Sequence, residues 1–292
     1  MRVLIFTFVF FLTSVGFARV SERNFQAKSG QSFIQGNLIR TNDKVEIPTD
    51  PGFPEVELDI DDSRFSLQFE RGLSDSFAMY GGIGFGSAEF KISSPIDEDS
   101  SDVRGLDPIN LGLKFQKAND KGRFFSRANL AFGLQDSETD SDGDSDGDSN
   151  RTSNVFVLNL KLGYEAFVSE KNTFGASVAY SVITTDAKSE DDEDVDTDGN
   201  AELSIYYENL NDSGLVLGGH LDYKLTSFFE QLDYHGEDID FSIIELGAYA
   251  RAPLSTKLFL LGSLDYGLSV DEPEGTDDFT RLRVSLGLRL LL

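Results

Sequence analysis

The dominant feature of this sequence is an apolar residue at every second position, repeated in segment after segment. From Val155 to Val168, alternate positions hold only apolar or aromatic residues, namely Phe156, Leu158, Leu160, Leu162, Tyr164, Ala166 and Val168. Successive side chains of a β-strand point to opposite faces, so this period predicts strands and not helices. Twelve segments show the pattern, and we expect a strand in each of 32–40, 64–70, 76–92, 109–116, 123–135, 155–168, 173–183, 201–208, 214–225, 241–251, 257–269 and 280–292.

The connections between these segments alternate between short and long. The short ones are rich in Gly, Asn, Asp, Ser and Pro, as hairpin turns are, and lie at 71–75, 117–122, 169–172, 209–214 and 252–256. The acidic residues are concentrated in the long ones, which lie at 41–63, 93–108, 136–152, 185–200, 227–240 and 270–279. In an up-and-down sheet, this alternation places every long connection at one end and every short turn at the other.

The two faces of the strands differ in charge. The face that includes Leu282, Leu286 and Leu290 has almost no charge, over the roughly ten residues that a tilted strand needs to cross a membrane. The opposite face holds nearly all the charged residues of the strands. Because a soluble β-sandwich would expose its charges, this polarity favours a transmembrane barrel with a polar interior. Phe residues beside the short turns, such as Phe115 and Phe124, are expected to form an interfacial girdle.

We therefore predict an all-β fold, an up-and-down antiparallel transmembrane β-barrel of 12 strands with short periplasmic turns and long acidic extracellular loops. The alternative is a barrel of 10 strands, which applies if one of the two weakest segments, 32–40 or 201–208, does not form a strand. Residues 19–292 are expected to form this single domain.

The beginning of the chain predicts export. Arg2 precedes a run of ten mostly apolar residues and then Gly16-Phe17-Ala18, so residues 1–18 are interpreted as a secretory signal peptide. The sequence contains no cysteine, which excludes disulfides and thiolate metal sites. Its net charge of −26 argues against binding to nucleic acid.

Together, the predicted signal peptide, the rhythm of strands and turns, and the last strand resemble bacterial outer-membrane β-barrel proteins of the small porin-like type. The resemblance implies location in the outer membrane, contact with its lipid and lipopolysaccharide, and recognition of the C-terminal strand by the barrel assembly machinery. In that class the last strand ends in an aromatic residue, whereas here the alternation from Leu282 ends at Leu292. The resemblance concerns architecture and location more than activity, and it leaves the oligomeric state open.

The sequence predicts that the protein is not an enzyme. Barrels that resemble outer-membrane phospholipases or lipid A deacylases need a His-x-Ser pair, but the two histidines lie in His220-Leu221-Asp222 and His235-Gly236-Glu237. Omptin-like proteases use an Asp-x-His pair opposite two aspartates, and Asp233-Tyr234-His235 matches half of that arrangement. We expect His220 to join a network in the barrel interior with Asp222 and Lys224.

Two acidic connections contain the D-x-D-x-D-G opening of an EF-hand calcium loop. The expected bidentate Glu at position twelve is replaced by Ser153 in one and by Ile205 in the other, which argues against high affinity. We predict no cofactor other than weakly bound Ca²⁺ or Mg²⁺, and a solvated loop without bound metal is the alternative. The candidate ligands are Asp142, Asp144, Asp146, Asp148, Asp194, Asp196 and Asp198.

The interior of the barrel, or lumen, is the remaining candidate site. Many of its positions are Gly, for example Gly112, Gly175 and Gly218, which lowers the side-chain volume. The function that we expect is a small porin-like channel for small polar solutes or ions. The alternative is a closed structural or surface-interaction barrel in which the interior charges form a paired plug. The predicted pore-lining residues are Lys114, Arg127, Lys161, Glu165, Glu202, His220, Asp222, Glu245, Asp265, Arg281, Arg283 and Arg289.

Overall fold

The computed structural model describes residues 26–47, 56–94, 98–133, 149–150, 155–185, 198–226, 241–271 and 277–292. The predicted signal peptide, residues 1–18, lies outside them. Within this part of the chain, no helix is long and apolar enough to cross a membrane. The strands are β1 Ser32–Ile47, β2 Val56–Gly72, β3 Phe77–Ser93, β4 Glu98–Leu106, β5 Ile109–Asn119, β6 Gly122–Phe132, β7 Ser149–Asn150, β8 Val155–Phe167, β9 Asn172–Thr185, β10 Asp198–Leu210, β11 Val216–Thr226, β12 Phe241–Pro253, β13 Leu258–Asp271 and β14 Asp277–Leu291.

The sheet closes on itself into an antiparallel barrel of 12 strands, which confirms the predicted fold class. Closure occurs where β1 pairs with both β2 and β14, the last strand. β4 and β5 together make one barrel strand, because both pair with β3 and are separated only by residues 107–108. The two residues of β7 pair with β4 alone, beside the barrel.

Both of the weakest predicted strands are present, so the barrel does not have 10 strands. The segment 32–40 lies in β1 and pairs without interruption with β2 and β14. The segment 201–208 lies in β10 and pairs in the same way with β9 and β11.

The predicted short turns lie at the end of the barrel where β1 begins and β14 ends. There the amide of Leu292 donates a 2.9 Å hydrogen bond to the carbonyl of Ser32. In the turn between β2 and β3, the Ser74 hydroxyl accepts hydrogen bonds from the amides of Ser76 and Phe77, at 3.2 and 3.0 Å. Hydroxyl groups that bond the backbone in this way stabilise turns, which explains the polar composition of the short connections.

Exposure alternates along most of the barrel strands, as the sequence predicts. On β14, Leu282 and Leu286 are 44% and 58% exposed, whereas Arg281 and Arg283 are only 4% and 2% exposed. The same alternation surrounds the barrel, so its outer surface is a continuous apolar belt. Such a belt is stable in hydrocarbon and would be unfavourable in water.

Aromatic rings mark the edge of the belt near the short turns. The ring of Phe115 lies 4.9 Å from that of Phe77 and 6.3 Å from that of Phe124, between centroids. The three residues lie on β3, β5 and β6, so the contacts form a row across neighbouring strands. A row at this height is what an interfacial girdle of Phe requires.

Two of the predicted long connections, 41–63 and 93–108, are wrong in extent. Strands β1, β2 and β3 run 16 to 17 residues, and β4 occupies most of the second connection. Beyond the apolar belt, the polarity of the two faces is reversed. Charged residues such as Lys44 now face outward, and a buried apolar cluster lies inside, formed by Val45, Leu58, Ile60, Ala88, Phe90 and Phe279.

The reversal has a simple physical cause. Strands that project beyond the hydrocarbon have water outside, so burial of apolar side chains must occur on the inner face, as in a soluble protein. The sequence signal was the alternation of Val56, Leu58 and Ile60 with acidic residues, and the high charge of that stretch led to its assignment as a loop.

Candidate functional site

All twelve predicted pore-lining residues occupy inward-facing positions of the barrel strands, but they differ in burial. Arg127, Lys161 and Glu202 are partly exposed. The other nine are buried, namely Lys114, Glu165, His220, Asp222, Glu245, Asp265, Arg281, Arg283 and Arg289.

The strands that close the barrel are joined inside it by polar contacts. Arg281 on β14 binds Asp43 on β1 through two hydrogen bonds of 2.7 Å. Lower on the same strands, Arg289 donates to the Gln35 side chain at 2.7 Å. The Arg289 guanidinium also lies 4.9 Å from the centre of the buried Phe33 ring. Charged groups buried in this way are stable only because they are paired.

At the short-turn end, the segment before β1 contacts the lumen wall. The amide of Ala27 donates a 2.7 Å hydrogen bond to Glu70, and Lys114 binds the same carboxylate. Ala27 is 1% exposed and Glu70 is fully buried. Gly72 permits the close approach of this segment, because an added Cβ would lie 2.0 Å from the carbonyl oxygen of Lys28.

Several inward-facing tyrosines lie over a glycine of the adjacent strand. A Cβ on Gly175 would lie 2.1 Å from the Tyr206 ring, and a Cβ on Gly218 would lie 2.2 Å from the Tyr249 ring. The Tyr206 hydroxyl donates to Glu165 at 2.7 Å, and Arg123 binds the same carboxylate. The glycines therefore serve to seat aromatic rings, which in turn position buried carboxylates.

His220 lies among acidic side chains, one of which is its expected neighbour Asp222. Its Nε2 atom is 3.3 Å from Asp222 and 3.1 Å from Asp265. Lys224 contacts Glu245 at 2.6 Å instead of joining the histidine directly. The one partial match to a catalytic arrangement, Asp233-Tyr234-His235, falls outside the described residues.

The partly exposed inward residues are adjacent to one another and form one side of the lumen. Lys161 on β8 lies opposite Arg127 on β6 and approaches Glu202 at 3.4 Å. We call this region the accessible strip, and it consists of Arg127, Asn129, Asn159, Lys161, Ala179 and Glu202. On β11 to β14 and β1 to β3, by contrast, most inward side chains are buried, and we call that region the packed side.

The sequence did not identify several residues of the lumen network. Asp43 and Asp62 lie in the stretch that was interpreted as a loop, and Asp62 binds Arg64 at 2.8 Å. Glu70 and Arg123 lie next to short turns, where alternation is hard to distinguish from turn composition. The period of two already places Glu70 and Arg123 inward within the predicted segments, and extended to the observed strand ends it places Asp43 and Asp62 inward as well.

The predicted calcium ligands are almost entirely outside the described residues. Asp142, Asp144, Asp146, Asp148, Asp194 and Asp196 are not described, and for Asp198 only the backbone is, where it begins β10 opposite Ile183. Binding of Ca²⁺ or Mg²⁺ there stays a prediction.

No protein-family model and no curated protein sequence matches the chain. Among solved structures, it is similar to an outer membrane channel from Pseudomonas putida F1, with a TM-score of 0.62 and 12% identity, over 94% of this chain and 100% of the other. It is also similar to the translocator domain of the autotransporter NalP from Neisseria meningitidis, with a TM-score of 0.56 and 13% identity, over 97% and 96% of the two chains. The chain thus has the fold of bacterial outer-membrane β-barrels, and with its apolar belt this places it in the outer membrane.

Proposed function

We propose that this outer-membrane barrel is a small porin-like channel for small polar solutes or ions, and that the accessible strip lines its path. The observation that supports the proposal is the unequal burial of the lumen wall. Lys161 and Glu202 retain 24% and 17% side-chain exposure, whereas the ionic groups of the packed side, such as Arg281 and Asp43, retain 4% and 5%.

The chemistry of the strip suits polar solutes. Its side chains are two cations, one carboxylate, two amides and one alanine, so it offers both donors and acceptors of hydrogen bonds. In the same proposal, the paired charges of the packed side make that part of the barrel rigid and keep the shape of the lumen constant.

The sequence offers a direct test because it contains no cysteine. In planar bilayers, the refolded protein is expected to show discrete conductance steps. In the variant Ala179→Cys, a water-soluble thiol reagent should reduce that conductance, because the new side chain lies on the accessible strip. The matched control is Ser285→Cys, which substitutes a residue that is 2% exposed on the packed side and should stay unmodified.

The second candidate is a closed barrel with a structural or surface-interaction role. The paired charges of the packed side and the buried apolar cluster between β1, β2, β3 and β14 favour it. Absence of conductance steps at any voltage would overturn the channel and leave this role. Neither proposal assigns a catalytic role.

We also propose partners for the acidic connections and for the last strand. The acidic connections would meet the lipopolysaccharide layer and bind Ca²⁺ or Mg²⁺ weakly, and β14 would be recognised by the barrel assembly machinery. For the metal, thermal unfolding in millimolar Ca²⁺ is the test. A specific site requires a higher melting temperature, and an unchanged value would remove the case for it.

A further inference from the structure

We propose that His220, Asp222, Asp265 and Glu245 form a binding site for one divalent transition-metal ion, such as Zn²⁺, in the wall of the barrel. The residues lie side by side on the neighbouring strands β11, β12 and β13. Asp222 is opposite Glu245, and Gly247 lies between His220 and Asp265 in the register. The site does not depend on whether the lumen conducts.

The distances between the donor atoms fit a shared ion. One ligand atom from each of His220, Asp222 and Glu245 lies within 4.8 Å of the others. Asp265 joins them, because its Oδ1 atom is 3.1 Å from Nε2 of His220, and Oδ2 of Asp222 is 3.3 Å from the same nitrogen. Tetrahedral bonds of about 2.1 Å to Zn²⁺ place neighbouring ligand atoms about 3.4 Å apart.

The surroundings of the histidine are a second, independent indication of a bound ion. His220 is 8% exposed, yet neither of its ring nitrogens has a hydrogen-bond partner in the described structure. The two carboxylate oxygens are near Nε2 but do not meet hydrogen-bond geometry with it. Oxygens that flank a nitrogen in this way have the arrangement of ligands that share one ion. A bound ion would also give the buried ring nitrogen a partner, without which its burial costs free energy.

A glycine provides the space in which the ligands meet. A Cβ on Gly247 would lie 2.2 Å from Oδ1 of Asp265 and 2.2 Å from Cε1 of His220. A Cβ at this position would therefore displace one or both of these side chains. The variant Gly247→Ala thus fills the site without removing a ligand.

The charge of the cluster also favours a dication. Asp222 and Glu245 have no exposed side-chain surface, and Asp265 has 4%. The positive groups nearby are Lys224, which binds Oε2 of Glu245 at 2.6 Å, and Arg283, which faces Asp265 from β14. Buried carboxylates need compensating charge, and a bound dication supplies it. Because a carboxylate has two oxygens, Glu245 can bind an ion through one of them while Lys224 stays on the other.

The ligand set selects the class of metal. One imidazole nitrogen with carboxylate oxygens suits Zn²⁺ and its first-row neighbours, whereas Ca²⁺ and Mg²⁺ prefer oxygen ligands alone. This distinguishes the lumen site from the acidic connections, which contain oxygen ligands.

The test is titration of the refolded full-length protein, without a histidine tag, with Zn²⁺ in the presence of excess Mg²⁺ to saturate the acidic connections. We expect one Zn²⁺ per barrel and a higher melting temperature. His220→Gln should weaken binding by roughly a hundredfold or more, since even loss of an outer-shell partner weakens metal sites ten- to a hundredfold. Gly247→Ala should also weaken it.

The matched control is His235→Gln, which removes the other histidine of the sequence and should bind Zn²⁺ as the wild type does. The shift in gel mobility on heating shows whether each variant is folded, and the visible spectrum of bound Co²⁺ reports the histidine ligand. Equal binding by folded His220→Gln, or no saturable binding by the folded wild type, would overturn the site.

Discussion

Arg281 on the last strand donates two hydrogen bonds of 2.7 Å to Asp43 on the first, although 238 residues separate them in the chain. Both side chains are buried, at 4% and 5% exposure. The pair lies where β1 and β14 meet, so it joins the two ends of the sheet inside the barrel. It is therefore a contact that only the closed barrel contains.

Removing Asp43 should destabilise the barrel. In Asp43→Ala, the buried guanidinium of Arg281 loses its counter-ion, and we expect the free energy of unfolding to fall by about 3–5 kcal/mol. Unfolding in urea, followed by tyrosine fluorescence in lipid vesicles, measures the change. The control is Asp61→Ala. Its charged partner Arg40 is 72% exposed and lies 3.7 Å away, and its closer partner, Asn42 at 3.1 Å, is neutral. There we expect a change below about 1 kcal/mol. Similar losses for both variants would contradict the assignment.

Reversing a charge on the accessible strip should alter ion selectivity. Lys161→Glu changes the local charge by two units, which at about 10 Å in a water-like medium favours cations by roughly 0.8 kcal/mol, or about fourfold before screening. The reversal potential in a salt gradient should shift toward that of the cation. Lys257→Glu, on an exposed short turn, is the control and should produce a smaller shift. An identical reversal potential for wild type and Lys161→Glu would place Lys161 away from the conduction path.

Glycines under inward tyrosines should not tolerate a methyl group. Gly175→Ala brings Cβ within 2.1 Å of the Tyr206 ring, so the ring must move away from Glu165. We expect a loss of about 1–3 kcal/mol in the free energy of unfolding. Gly262→Ala is the control, because the nearest atom to its Cβ would be 3.7 Å away. A stable Gly175→Ala variant would show that Tyr206 has room to shift without cost.

The exposed ion pairs outside the belt should contribute little to the free energy of unfolding, and their contribution should depend on pH. Hydrogen bonds to Glu57 and Asp59 raise the pKa of Lys44 above its usual value. Because the folded pKa is raised, the stabilisation is complete below the unfolded pKa of about 10.4 and is lost as pH rises through the folded pKa. Lys44→Met should therefore lower stability by less than about 1 kcal/mol near neutral pH. Urea unfolding above about pH 11 should show a smaller difference, and a difference that grows with pH would contradict this pairing.

The alternation of apolar residues was sufficient to predict the barrel. Neighbouring residues such as Leu282 and Arg283 must face different environments. In a strand, an alternation with period two therefore fixes which residues lie on the apolar face and which on the polar face. The alternation of short and long connections also predicted the strand order and placed all the short turns at one end of the barrel. Both follow from local chemistry, because turn residues and the strand period act over a few positions.

Local patterns did not predict where the polarity reverses. Val56, Leu58 and Ile60 alternate with acidic residues as regularly as the residues of the belt do. The inner face there, which includes Leu58 and Ile60, is the apolar one because the strands extend beyond the hydrocarbon. Height relative to the membrane is a property of the whole barrel.

The sequence by itself determined the strands of the apolar belt, their inward and outward faces there, and most of the charges that face the lumen. Only the tertiary structure decided which charges meet. Glu70 contacts Lys114, and His220 lies between Asp222 and Asp265, because closure and register set neighbours across strands that are distant in the chain. It also decided which wall of the lumen is packed and which is accessible, since burial depends on the side chains that face one another across the interior.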